Sequence, residues 1–170
     1  MADSGLRDKI PPNNQDAEKA TLGAILMSSD SLLTVTRFLC PEDFYKNAHQ
    51  KIFQAMLNLD QENNSNVDIL TVTQELKRLG ELDAAGGAAR RRRRRPCRGS
   101  GGGGAAYISS LTSEVPTTAN VEYYAQIVQD NSVRRNLIQN ANQIIAGAFD
   151  DTVTSASLIE DAERRIFEVA

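Results

Sequence analysis

His49 is the single histidine of a 170-residue chain, and acid–base catalysis by it would need a carboxylate, hydroxyl or thiol held against its ring. Its surroundings, with Ile52 and Phe53 at helical spacing, set it on an apolar helix face and supply no such group in the local sequence. It reads as a packed, hydrogen-bonded structural residue. Glu160, Asp161 and Glu163 offer carboxylates to a cation, but they fall in what reads as the first turns of a helix, where acids favour the dipole. A solvated face is the simpler reading. Tyr123-Tyr124 offers a stacking platform, yet Tyr124 belongs to an apolar stripe and is assigned to packing. Cys40 and Cys97 are far apart, with no further thiol and no histidine pair near either, so neither a disulfide framework nor a zinc site is indicated. Cys40 reads as a small buried or half-buried residue.

The strongest charge signal is Arg90, Arg91, Arg92, Arg93, Arg94, Arg95 and Arg98, seven of the 19 basic residues within nine positions. Consecutive guanidiniums in a flexible loop bind phosphates non-specifically through counterion release. No aromatic residue interleaves them, so base stacking or sequence reading is not indicated. Elsewhere 12 basic residues face 22 acidic ones, a net of −10, and a body of that sign repels phosphate. The glycine run Gly99 to Gly104, interrupted only by Ser100, lacks the lysine of a phosphate-binding loop and follows no strand. It reads as a flexible linker. No catalytic, cofactor or metal site is therefore assigned to this chain.

Helices have to position these residues. Pro11-Pro12 ends a leader, and Asn13 or Asn14 can cap a helix burying Leu22, Ile25 and Leu26. A second helix is expected over Ser31 to Leu39, then a turn at Pro41 that plants Phe44 and Tyr45 in the core, and a third helix from Asn47 to Leu59. Asp68 caps a fourth, which Gly80 stops; a fifth covers Ala105 to Glu114. From Asn120 to Ala148 nothing interrupts a helix, roughly 40 Å long at about 1.5 Å per residue, whose apolar positions hold one stripe. Ser157 with Glu160 signals a capping box for the last helix. The fold class expected is all-α: a small globular helical bundle followed by a long antiparallel helical hairpin. A hairpin buries little by itself, so its stripe calls for a partner or for folding back on the bundle.

Several local signatures, in this order and spacing, resemble the N-terminal domain of the bacterial replicative DNA helicases of the DnaB family. They include Asp16-Ala17-Glu18 with Leu22-Gly23, Asp43-Phe44-Tyr45 with His49, and Val67-Asp68. Gly80-Glu81-Leu82, Ala106-Tyr107-Ile108, Val115-Pro116-Thr117-Thr118-Ala119-Asn120 and Ala162-Glu163-Arg164-Arg165-Ile166-Phe167 follow. The resemblance implies an assembly module whose copies associate from dimer to hexamer as a collar, with primase docking on the hairpin and a helicase loader as a further partner. ATP, magnesium and 5′–3′ unwinding belong to a RecA-like motor domain that this chain lacks, so it is expected to be no enzyme by itself. Ile138 and Ile145 are the candidate interface residues.

The expected organisation is a flexible leader (1–13), a globular helical subdomain (14–118) and a helical hairpin (119–170). Residues 88–104, from Ala88 to Gly104, are an Arg/Gly-rich insertion relative to the family and are expected to be dispensable to the fold. No stretch reaches the roughly 20 apolar residues of a membrane span, and the polar Met1 to Pro12 does not match a signal peptide, so a cytoplasmic location is expected. The alternative function is a helical scaffold that binds nucleic acid non-specifically through its arginine loop.

Overall fold

Asn14 starts the first helix: the Ala17 N–H donates to its side-chain oxygen at 3.0 Å, satisfying an amide that has no partner within the helix. The structure, a computed structural model, describes residues 10–61, 66–86, 102–115, 118–150, 152 and 154–169. No strand occurs among them. In α1 (Gln15–Met27), Glu18, Leu22 and Ile25 recur at helical spacing and are all buried. The second helix, α2 (Asp30–Val35), is shorter than predicted. Beyond it the Arg37 and Phe38 N–H groups donate three residues back, to Thr34 and Val35, and the Leu39 N–H four back, to Val35, so the helix loosens into mixed turns before Pro41. A 3-10 turn at Pro41–Asp43 then delivers Phe44 to the core, while Tyr45 stays half-buried, so one aromatic enters the core where two were expected. Cys40, expected to be at least half-buried, is exposed. Partial desolvation, then the charges of Asp43 and Glu42, hold its thiol above the ordinary value, the opposite of an activated nucleophile.

The core of the globular unit forms where α3 (Asn47–Gln61) and α4 (Ile69–Arg78) bring Ile52, Phe53, Met56 and Leu76 against Leu22 and Ile25 of α1. Phe44 and Phe53 pack tilted, with ring centroids 5.1 Å apart. Asp68 caps α4, accepting from the Thr71 N–H at 2.8 Å, while the Thr71 hydroxyl oxygen accepts from the Asp68 N–H at 3.0 Å. At the other end Gly80, with φ +71°, lets the Glu81 N–H reach Leu76 O and its own N–H reach Lys77 O, the paired bonds of a Schellman stop. Replacing Asp68 with alanine should lower stability by about 1 kcal/mol in denaturant titrations. The backbone bond from Thr71 holds the Asp68 carboxyl below its ordinary value. Its contribution is therefore full above the unfolded carboxylate range and lost as pH falls through the lowered folded value, so parent and variant should converge in acid.

A short helix not foreseen from sequence, α5 (Leu82–Ala85), buries Ala85, and α6 begins earlier than expected, at Gly102 (Gly102–Ser113). Gly102 to Gly104, read as linker, form its first turn. A Cβ on Gly104 would lie 2.1 Å from Leu82 O, and one on Gly86 3.1 Å from Gly104 N, so α5 and α6 meet backbone to backbone through glycines. Any dispensable segment thus ends before Gly102, and Arg90 to Arg95 and Arg98 lie outside the described residues. Deleting Ala88 to Gly101 should leave helix content and melting temperature nearly unchanged, because Gly86 already packs against Gly103 and Gly104. Extending the deletion through Gly104 should destabilise the domain by about 2 kcal/mol, through loss of packing on Leu82 and Ala85. Circular dichroism melts of the two deletions check this.

After a 3-10 turn at Thr118–Asn120 comes α7 (Val121–Ala148), then α8 (Ser155–Val169). Contacts divide the chain into Asn14–Gln129 and a second unit of Met1–Asn13 with Asp130–Ala170. The division falls inside α7 because Val121, Ala125 and Val128 are buried in the globular core. In the second unit α7 and α8 run antiparallel: Asn140 Nδ2 donates to Arg165 O at 3.4 Å, Arg165 bonds Gln143, and a Cβ on Gly147 would sit 3.0 Å from Leu158 Cδ1. The cap of α8 is Thr154, three residues before the predicted Ser157; its hydroxyl accepts from the Ser157 N–H at 3.4 Å and its carbonyl from the Leu158 N–H at 3.0 Å. At the start of the described residues Arg135 Nη1 donates to Pro12 O at 2.9 Å.

Candidate functional site

Each polar member of the most enclosed cluster in the globular unit sits on the apolar stripe of its own helix. Glu18 precedes Leu22 and Ile25 on α1, His49 precedes Ile52, Phe53 and Met56 on α3, and Tyr107 precedes Leu111 on α6. Folding the three stripes into one core brings the three polar groups together. His49 is fully buried and Glu18 is 1% exposed. The His49 Nδ1 lies 2.5 Å from Glu18 Oε2, and Nε2 lies 2.6 Å from the Tyr107 hydroxyl, with the two rings stacked. The other Glu18 oxygen accepts from the Tyr45 N–H at 2.7 Å. An ionised Glu18 carboxylate only accepts, so Nδ1–H donates to it, and Nε2 shares the second hydrogen bond with the Tyr107 hydroxyl. Burial pushes the Tyr107 hydroxyl above its ordinary value, so it keeps its proton.

This is an acid, a histidine and a hydroxyl in line, the arrangement that the local sequence around His49 did not reveal. It cannot act on a substrate: both imidazole nitrogens are committed inside the core, and proton transfer needs one of them to face a reacting group. His49 is packed and hydrogen-bonded through both ring nitrogens, to partners that the local sequence did not name. No buried side-chain nitrogen or oxygen among the described residues lacks a hydrogen bond.

Two other candidates resolve into local structure. Glu160, Asp161 and Glu163 lie beyond the first turn of α8, because that helix starts at Ser155, so the dipole does not explain them. Asp161 instead takes Arg165 Nε at 2.5 Å and also bonds Arg164, and these arginines hold its carboxyl below the ordinary value. No cluster of three metal-ligating side chains occurs among the described residues. Tyr123 is exposed and Tyr124 half-buried, their rings meeting edge to face rather than forming an open platform.

The second unit leaves apolar surface uncovered. In α7, Leu137, Ile138 and Ile145 are 44%, 47% and 52% exposed, and Phe149 at the turn and Phe167 on α8 are more exposed still. Ile144, Leu158 and Ala162 are half-buried between the helices. On the outer side of α7, Pro11, Arg135, Ile138, Asn142 and Ala146 line a groove of about 440 Å³. The stripe read from sequence is therefore two surfaces, one buried in the globular core before Asp130 and one exposed after it.

A family profile for the DnaB-like helicase N-terminal domain matches residues 10–92. The solved N-terminal domain of DnaB helicase from Mycobacterium tuberculosis is 32% identical and superimposes with a TM-score of 0.79, covering 95% of this chain and all of that one. This chain belongs to the DnaB-like helicase N-terminal domain family. The replicative DNA helicase DnaB of Treponema pallidum is 40% identical over 164 residues, which is 96% of this chain and 33% of that protein. A DnaB-like replicative helicase whose structure was described with its interactions with primase is 25% identical, with a TM-score of 0.66 over 92% of this chain and 32% of that one. The chain spans about a third of the length of the curated relatives it matches.

Within this DnaB-family domain the signatures have physical roles. Glu18, His49 and Tyr107 form the buried network, and Asp68 and Gly80 bound α4. Gly23 lets α1 touch α6, since a Cβ there would fall 2.3 Å from Leu111 O. Among the described residues no helix is long and apolar enough to cross a membrane.

Proposed function

We propose that this DnaB-family domain assembles helicase subunits, from dimer to hexamer, and docks primase through its hairpin, in a cytoplasmic replication machine. The carrying observation is the apolar surface that the hairpin leaves exposed around Ile138 and Ile145. A pair of helices with that much uncovered apolar side chain is stabilised by a protein partner. The primase partner is supported by the similar replicative helicase described with its primase interactions. ATP-driven unwinding, with its magnesium, is proposed for the full-length protein that carries such a domain. The organisation into leader, globular part and hairpin is part of this reading.

Replacing Ile138 and Ile145 together with serine should weaken binding of the primase's helicase-binding domain by at least about tenfold while helicity is kept. Unchanged binding in a titration would remove the hairpin face from the docking site. Contact with nucleic acid through Arg90 to Arg95 and Arg98, or recruitment of a loader, is secondary in this account; salt-sensitive DNA binding should vanish on deleting Ala88 to Gly101, since the rest of the chain is strongly acidic.

A further inference from the structure

In the globular unit, a groove of about 330 Å³ opens between the start of α1, the end of α6 and the start of α7. Its floor is apolar, made by Ala17, Ala20, Tyr124 and Ile127, and two carboxylates, Asp16 and Glu114, stand on its rim. Glu114 binds Lys19 at 2.8 Å, and Asp16 feels the same ammonium charge without a direct ion pair among the described residues. An apolar trough with a carboxylate at its edge fits a side chain that has an aliphatic stem and a cationic head. Arginine fits better than lysine: its planar head can stack on the Tyr124 ring and present a fork of N–H groups to Asp16. A phosphate-bearing ligand is disfavoured, because the rim is acidic and the chain without its arginine-rich segment carries a net of −10, with 12 basic against 22 acidic residues.

We propose that this groove docks an arginine side chain presented by an apolar-flanked segment of a partner protein. The six residues belong to the globular unit, so the inference does not depend on the hairpin reading. A capped peptide, Ala-Leu-Arg-Leu-Ala, is titrated into the full chain carrying labelled alanine and isoleucine methyl groups. Shifts should concentrate at Ala17, Ala20 and Ile127. Citrulline or lysine in place of the peptide's arginine should weaken binding by about tenfold or more. Asp16→Asn should weaken it by about fivefold, and Asp60→Asn, the same charge change on α3, by less than about twofold. Equal binding of the arginine and citrulline peptides, equal losses in Asp16→Asn and Asp60→Asn, or shifts located elsewhere would overturn the proposal. Shifts at the same methyl groups that rise with protein concentration alone would assign the groove to a second copy of the chain, and would equally overturn it.

Discussion

Replacing Glu18 with alanine is expected to lower the unfolding free energy by about 3–5 kcal/mol, the range for removing one partner of a buried pair. The substitution strips the part-buried Tyr45 N–H of its acceptor and leaves the His49 Nδ1 proton without one in a fully buried position. Glu18→Gln should be milder. Its amide oxygen can still accept from Tyr45, and its amide NH₂ can donate to His49 once the imidazole shifts its proton to Nε2 and donates to Tyr107. Tyr107→Phe removes one bond and should be milder again, about 1–1.5 kcal/mol. Denaturant titrations should return the order alanine, glutamine, phenylalanine; an alanine variant within about 1 kcal/mol of the parent would mean the network is incidental to stability.

Gly23→Ala carries the second large effect, and its sign decides between two physical causes. Helix propensity alone would make the change stabilising by up to about 1 kcal/mol. The added Cβ, however, would fall 2.3 Å from Leu111 O and 2.4 Å from Val115 Cγ2. The carbonyl belongs to the backbone of α6 and cannot turn aside, so α1 and α6 must separate across a close-packed seam. A net loss of about 3 kcal/mol is expected. Gly103→Ala is the control, since nothing lies within 4 Å of a Cβ there, and propensity should make it neutral or stabilising. A thermal melt in which both variants rise together would refute the close-approach explanation.

These two effects mark where the sequence stopped being legible. Helices α1, α3 and α4 could be read almost to the residue, because a cap and an apolar period are local and point the same way, as at Asn14, Asp68 and Gly80. Glu18, His49 and Tyr107 each showed their place on an apolar stripe, but a stripe does not say which other stripe it will meet. Their pairing is a product of tertiary packing across 31 and 58 positions of chain. Gly102 to Gly104 read as linker on propensity, whereas the contact of Gly104 with Leu82 is what requires a residue without a Cβ there. At α8 the capping signal read from sequence was Ser157, whereas Thr154 leads because its carbonyl and hydroxyl take the first free amides. Along α7 the apolar period is continuous, so only the structure separates the covered part around Val128 from the exposed part around Ile138 and Ile145. The signatures of the DnaB family supplied the architecture; the contacts that enforce it were not in them.

If the exposed hairpin face is an assembly surface, solution mass must rise over a concentration series. The parent chain should move from the mass of one chain to that of a dimer or larger as concentration rises. Ile138→Ser with Ile145→Ser should shift that transition to at least about tenfold higher concentration with unchanged helix content, as loss of an interface core requires. A parent that stays at single-chain mass throughout, or a double variant that assembles as the parent does, would contradict the account.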